Sequence, residues 1–183
     1  KSNNGINTKN DIINNSGRKN TGDSVLRYNS DGTIDYDNSG YAVGIYGDGS
    51  QINNTGTINI KENGIGIYTR DNTIPVVNQG NINGTGKGAT GLFVDNGVIE
   101  NALGITITIS GDDSIGMAAN KNGTIINNGN IIMSGNNVTG MFANISSKAV
   151  NNGLIDMSGT TGNKSTAFLL GAGSTYENNG TLI

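Results

Sequence analysis

Isoleucine and other aliphatic residues recur along this chain at nearly constant intervals, each time after a short polar phrase. The phrase has the form Asn-x-Gly-x-Ile and is loosest at Asn101, where Leu103 stands in place of the glycine. Successive copies start roughly 23 to 27 residues apart, which is the period range of a solenoid coil. The copies begin at Ser30, Asn54, Asn78, Asn101, Asn127, Asn151 and Asn178.

Each repeat contains three short segments in which apolar and polar residues alternate with the period of a β-strand. One segment leads into the asparagine, as at Ile52, a second follows the glycine, as at Ile58, and the third is a Gly-aliphatic-aromatic phrase such as Gly44-Ile45-Tyr46. Gly, Asn, Asp and Ser residues between them favour turns and argue against long helices. We therefore predict an all-β, right-handed parallel β-helix, a solenoid with three short strands per coil and about six to seven coils, truncated at both ends.

The first residues of the chain are its least regular part. Residues 1–23 are rich in polar turn formers and are predicted to be an irregular or atypical first coil. Residues 24–183 carry the repeats, each of roughly 23–27 residues. Leucine-rich repeats share this period and an asparagine column. This chain is poor in leucine, however, and no repeat has a helical half, so the β-helix is favoured.

Stacked coils place equivalent residues above one another, so the repeats predict two columns. The aliphatic residue of each phrase is predicted to lie in the core, and the asparagines are predicted to form a structural ladder of side-chain amides, with a glycan-binding amide row as the alternative. The core column comprises Ile34, Ile58, Ile82, Ile105, Ile131 and Ile155. The ladder comprises Asn54, Asn78, Asn101, Asn127, Asn151 and Asn178.

The Gly-aliphatic-aromatic phrase predicts a third column. If the residues on both sides of its glycine point inward, the next residue points outward, and four of the chain's nine aromatic residues occupy that position. These rings either cover the chain's own surface or form an exposed strip that contacts sugar rings or a protein partner. The candidate contact residues are Tyr46, Tyr68, Phe93 and Phe142, in a column completed by Ala118 and Leu169.

Composition removes several classes of function. A net charge of -3 with 14% charged residues gives no basic stripe, which argues against nucleic acid as a partner. The absence of histidine removes the usual general base and the usual zinc ligand, and no cofactor is expected. No apolar run reaches the length of a membrane span, and the chain has no cysteine, so a secreted form is stabilised without disulfides.

Two acidic motifs are candidate sites. Asp35 and Asp37 begin a sequence like a calcium loop, but Tyr46 stands at the twelfth position, where a bidentate Glu is needed, so a turn is favoured. Asp112 and Asp113 form a pair of carboxylates without a third one in the same repeat. Because a β-helix glycosidase needs an acid and a base or nucleophile across a cleft, we predict that the chain is not an enzyme.

The interlocking phrases Asn-Asn-Gly-x-Ile and x-Gly-Ile-Tyr or x-Gly-Met-Phe, in a chain rich in Asn and Gly and free of Cys, resemble the passenger repeats of large type V autotransporter adhesins of the fusobacterial kind. The resemblance covers residues 24–183. It implies a right-handed β-helical stalk outside a Gram-negative cell, anchored in the outer membrane by a C-terminal β-barrel that is absent from this chain. It also implies adhesion to a host cell-surface protein or glycan, or to other bacteria, and a stalk that continues into more coils.

Two classes of function stay open beside the disfavoured polysaccharide-degrading enzyme or tailspike. In the first, the segment is itself adhesive, through the aromatic column or through loops at residues 84–88 and 159–164. In the second, it is a structural spacer or an S-layer-like surface solenoid that holds a distal head away from the membrane. Low charge, near-uniform repeats and short loops favour the spacer for these residues. The adhesin describes the whole protein better than this segment.

Overall fold

The computed structural model describes the backbone of residues 6–9, 12–15 and 19–20 and the whole of residues 42–183. Every regular element in these residues is a β-strand, and every strand pairing is parallel. Among the same residues, no helix is long and apolar enough to cross a bilayer.

The strands follow one another in groups of three, one group per coil. The bounds in chain order are β1 (Ile6–Lys9), β2 (Ile12–Asn15) and β3 (Lys19–Asn20); β4 (Val43–Asp48), β5 (Gln51–Asn54) and β6 (Ile58–Ile60); β7 (Ile65–Arg70), β8 (Val76–Asn78) and β9 (Ile82–Gly84); β10 (Thr90–Asp95), β11 (Val98–Asn101) and β12 (Thr106–Ile109); β13 (Ile115–Asn120), β14 (Thr124–Asn127) and β15 (Asn130–Met133); β16 (Thr139–Ala143), β17 (Lys148–Asn151) and β18 (Leu154–Asp156); β19 (Thr166–Leu170), β20 (Thr175–Asn178) and β21 (Thr181–Leu182).

Each strand pairs with the strand three places earlier and three places later, so the chain winds through three parallel sheets. Sheet A contains the first strand of each coil (β1 to β19), sheet B the second (β2 to β20) and sheet C the third (β3 to β21). The coils contain about 24 residues, and the solenoid has about six turns. This confirms the predicted parallel β-helix with three short strands per coil.

Some predicted features fall on residues that the structure does not describe. The boundary between residues 23 and 24 is one of them, although β1, β2 and β3 pair in register with β4, β5 and β6. In sheet C, the described neighbour of Ile58 is Lys19 in β3. The other predicted positions outside the described residues are Ser30, Ile34, Asp35 and Asp37.

The core is a set of stacked aliphatic columns in which side chains lie in register from coil to coil. One column in sheet C has a relative exposure of 0% at every member, and burying each such side chain is worth about 1.5 to 3 kcal/mol. Its register follows directly from the strand pairs of β6, β9, β12, β15 and β18. The members are Ile58, Ile82, Ile107, Ile131 and Ile155.

The prediction that Ile105 belongs to this column is wrong. Ile107 pairs with both Ile82 and Ile131, and Ile105 is only partly buried. The physical reason is a longer corner before β12, where Leu103 projects with 85% of its surface exposed and Gly104 adopts a φ of 79°. The longer corner moves the inward position from Ile105 to Ile107.

The glycine of the Gly-aliphatic-aromatic phrase permits close approach between coils. A Cβ on Gly116 would lie 2.6 Å from the carbonyl oxygen of Gly140 and 2.8 Å from Cγ2 of Ile131. The glycine itself is buried, and so is the residue after it, which leaves the residue before it partly exposed in β4, β7, β10 and β13. The prediction that both flanking residues point inward is therefore correct only for the following residue in these strands.

Candidate binding face

The outer face of sheet A carries a continuous column of mostly apolar side chains, here named the outer strip. Strand pairing places its members in register along the solenoid axis. The outer strip comprises Tyr46, Tyr68, Phe93, Ala118, Phe142 and Leu169. The structure therefore brings the four predicted contact residues onto one face.

Three rings of the outer strip contact one another edge to face. The ring centroids of Tyr46 and Tyr68 are 5.1 Å apart at an interplanar angle of 75°, and those of Tyr68 and Phe93 are 4.9 Å apart at 82°. Each such pair contributes about 0.5 to 1.5 kcal/mol beyond burial. The rings are half-buried, so they cover one another and keep part of their surface in water.

The outer strip changes character along the axis. Ala118, with 2% exposure, is its shortest side chain and lies between Phe93 and Phe142. Leu169 follows in β19 and is 46% exposed. The strip thus has a high aromatic segment in β4, β7 and β10 and a low point in β13.

A row of charged and amide side chains, here named the charged row, flanks the outer strip on the same face. It lies two residues further along each strand, and its first three members alternate in charge. The Nε of Arg70 is 3.8 Å from a carboxylate oxygen of Asp48, and the Nζ of Lys121 is 3.3 Å from a carboxylate oxygen of Asp95. The register of the row is Asp48, Arg70, Asp95 and Asn120.

The charged row and the rings perturb one another's ionisation. Burial is the main cause that raises the pKa of the Tyr68 hydroxyl, and the nearby Asp95 carboxylate adds to it. Hydrogen bonds to Asp71 and then to Tyr46 raise the pKa of Arg70. Hydrogen bonds from Asn96 and then Arg70 lower the pKa of Asp71. At neutral pH Arg70 and Asp71 therefore hold fixed charges beside a neutral Tyr68.

The repeated asparagines form an internal amide ladder. From Asn54 to Asn151, each Nδ2 donates one hydrogen to the Oδ1 of the next coil's asparagine, at 2.7 to 3.3 Å, and another to a backbone carbonyl two to four residues further along. Asn54, Asn78, Asn101, Asn127 and Asn151 have 0% exposure, and Asn178 in the last coil is exposed. The buried amides offer no surface to a glycan.

A second, external amide row runs beside the ladder and was not predicted from the sequence. Asn128 donates to Glu100 at 2.6 Å, Asn152 donates to Asn128 at 2.8 Å, and Asn179 donates to Asn152 at 3.0 Å. The second asparagine of the Asn-Asn-Gly phrase could have predicted this row, since it alternates with the buried one.

Asp112 and Asp113 bond to different neighbours at one corner of the solenoid. Asp113 has a φ of 52° and pairs with Lys87 at 3.1 Å, and hydrogen bonds from Lys87 and then Asn137 lower the pKa of its carboxyl. Asp112 accepts hydrogen bonds from the backbone and side chain of Asn136. Both carboxylates thus fasten one corner to its neighbours. Residues 42–183 and the shorter described strands contain no group of three His, Cys, Asp or Glu side chains placed to hold a metal ion.

Two buried polar atoms of the described coils have no hydrogen-bond partner, the hydroxyl of Thr69 and the Oδ1 of Asn72. Thr69 points into the core in register with Val94, where the next coil has an apolar residue of the same shape. Asn72 still uses its Nδ2, which donates to the carbonyls of Ile74 and Val98.

Comparison with known proteins adds no relative: no protein-family model, curated protein or solved structure matches this chain significantly. The functional argument therefore depends on the geometry of the solenoid and its faces.

Proposed function

We propose that this chain is a segment of a bacterial surface-displayed autotransporter adhesin, in which the β-solenoid presents adhesive surface to host cells or other bacteria. The observation that supports it best is the outer strip, an aromatic and aliphatic column on the outside of a polar, Asn-rich rod. Scattered apolar residues on a surface need no explanation, but a contiguous group such as Tyr46, Tyr68 and Phe93 favours a contact site.

The architecture suits display. Backbone pairing holds the outer strip at the repeat of the strands, about 4.8 Å per coil, so the contact surface is rigid before a partner arrives. A rigid surface loses little conformational freedom on binding, which favours affinity. Binding rather than catalysis is the proposed activity, and the carboxylates at Asp112 and Asp113 serve the corner they fasten.

Capture of cells tests the proposal. The chain is immobilised on a surface, and adherent bacteria and host cells are counted. Replacing the four contact residues by serine is expected to abolish capture, because the strip loses its apolar surface. The changed residues are Tyr46, Tyr68, Phe93 and Phe142.

A matched control uses half-buried apolar residues on the outer face of sheet B: Val77, Ile126 and Val150. Their replacement by serine is expected to leave capture intact, with far-UV spectra rich in β-structure for both variants. Equal capture by the strip variant would move the contact elsewhere.

The structural spacer is the second candidate, and the regularity of the coils favours it. The column Ile58, Ile82, Ile107, Ile131 and Ile155 recurs at nearly equal intervals along the chain, so the described rod has nearly uniform coils. A folded wild-type chain that captures neither bacteria nor host cells supports the spacer.

A further inference from the structure

The outer strip and its charged row are self-complementary when two rods lie antiparallel. We infer that the partner of this surface is a second copy of the same chain, bound face to face across sheet A. The inference rests on the proposed function, since it names the partner of the proposed adhesive strip. It assigns the chain to homotypic contact between molecules on facing surfaces.

The first argument is the match of periods. Every coil contributes one ring or small side chain to the outer strip, at the strand repeat of about 4.8 Å. A second copy offers the same repeat, so its side chains meet the strip in register wherever the two strips overlap, as identical sheets do when they pack about 10 Å apart. A surface without this repeat meets the strip at fewer points.

The second argument is the order of sizes along the strip. A two-fold axis that is perpendicular to the rods, parallel to the strands and placed between Tyr68 and Phe93 brings those two rings opposite each other. The same axis brings Tyr46, at one end of the aromatic segment, opposite Ala118 of the second copy, which is the low point of the outer strip. Each contact occurs twice, as an isologous interface requires.

The third argument is the order of charges. The same axis keeps the two charged rows on the same side of the interface, so that one row runs against the other. Arg70 then lies opposite Asp95 of the second copy, and Asp48 lies opposite Asn120, next to Lys121. The row has opposite charges where the two copies meet, whereas a uniformly charged partner would meet repulsion at every second coil.

The area of the interface sets the expected strength of the dimer. With this axis, four strands of each strip (β4, β7, β10 and β13) face each other. At about 4.8 Å per strand and five to six residues of about 3.3 Å each, they cover about 350 Å² per copy, or about 700 Å² in total. That total is below the roughly 1,000 Å² of a stable specific interface, so two isolated copies should form only a weak dimer. Many copies on facing surfaces would add their contacts through a high effective concentration.

Sedimentation of the purified chain from micromolar to near-millimolar concentration is the first test. The expected result is a mass that rises from monomer toward dimer and stays monomeric when Tyr68 and Phe93 are both replaced by serine. The sheet B control, Val77 and Ile126 replaced by serine, is expected to dimerise like the wild type. A wild-type chain that stays monomeric throughout overturns the inference.

A charge swap tests the antiparallel arrangement and needs no aromatic substitution. R70E places a carboxylate opposite Asp95, and D95K places an ammonium group opposite Arg70, so each variant alone is expected to lose dimerisation. The mixture is expected to recover it, because the new carboxylate of one variant meets the new ammonium group of the other, and the native Arg70 meets the native Asp95. Recovery also shows that both variants are folded.

Failure of the mixture to associate, or dimerisation of either variant alone at wild-type strength, contradicts the proposed pairing. The proposed function is tested separately by capture of cells that do not carry this chain. Capture of such cells by a monomeric chain leaves the adhesin proposal in place and removes the homotypic one.

Discussion

Asn127 occupies the middle of the buried amide ladder, and its replacement by alanine should be among the most damaging polar substitutions in the described coils. Its Nδ2 donates to the Oδ1 of Asn151 at 2.8 Å and to the carbonyl of Gly129 at 3.2 Å, and its Oδ1 accepts from Asn101 at 3.0 Å. The side chain has 0% exposure, so water cannot replace these bonds.

The expected cost follows from the groups left behind. Asn127→Ala leaves the amide carbonyl of Asn151 without its donor. The amide of Asn101 and the backbone carbonyl of Gly129 each lose one bond but keep another, to the carbonyl of Ile105 and from the N–H of Leu154. A buried polar group without its partner costs about 1 to 3 kcal/mol. Taking that range for Asn151 and about 0.5 kcal/mol for each of the other two groups, we expect the free energy of unfolding to fall by about 2 to 4 kcal/mol.

The aspartate variant adds a dependence on pH. In Asn127→Asp, a carboxylate oxygen replaces the Nδ2 and faces carbonyl acceptors, so burial and these acceptors raise the pKa of the new carboxyl above its unfolded value of about 3.9. The folded variant therefore binds more protons than the unfolded one between the two pKa values. The stability that the protonated carboxyl contributes is fully present below about pH 4 and is lost as the pH rises through the folded pKa.

Urea unfolding followed by circular dichroism measures both effects, and Asn152 provides the control. Asn152 lies in the next coil, on the external amide row. It is exposed, and its side chain hydrogen-bonds to the neighbouring amides of Asn128 and Asn179. Its alanine variant should lose less than about 1 kcal/mol. Equal losses at Asn127 and Asn152, or an aspartate variant without pH dependence relative to the wild type, would refute the structural role of the ladder.

Three further substitutions probe single features, each by urea unfolding. Thr69→Val should stabilise the chain by about 1 kcal/mol because it removes a buried hydroxyl without a partner, and the reciprocal Val94→Thr should destabilise it; a loss of stability in Thr69→Val contradicts this expectation. Gly116→Ala should cost about 1 to 3 kcal/mol because its Cβ meets the backbone of the next coil; an unchanged midpoint would show that the coils can move apart at Gly116. Ile145→Asn should raise stability by about 1 kcal/mol, since a β-branched residue with a φ of 50° is strained and its side chain is 48% exposed; an unchanged midpoint would show that the strain is relieved.

The stacking of coils was predictable because one polar phrase recurs with one aliphatic residue at a fixed offset. The fixed offset identifies the wrong core residue in one repeat. Counting four positions from Asn101 selects Ile105, but the corner holding Leu103 is longer and selects Ile107. Spacing between coils carries the missing signal, because Ile107 lies almost midway between Ile82 and Ile131 in the sequence, whereas Ile105 lies nearer to Ile82.

The candidate face was predictable only in outline. Alternation placed Tyr68 on the outside of sheet A, and the structure places it there. Its contacts with the neighbouring rings depend on rotamers, and the charged row depends on the register between coils, which a single repeat does not specify. The partly exposed position of Ile65 could not be predicted from alternation, because the glycine after it takes the inward place.

The central claim is that equivalent side chains stand above one another and form dry columns. The most direct test compares the free energy of unfolding of alanine variants at two nearby isoleucines, Ile107 in β12 and Ile105 in the corner before it. Ile107→Ala should lower the free energy of unfolding by about 2 to 5 kcal/mol, because it opens a cavity in a fully buried column. Ile105→Ala should cost less than about 1 kcal/mol, because that side chain is only partly buried. Equal costs, or a larger cost at Ile105, would contradict the stacking of Ile107 between Ile82 and Ile131.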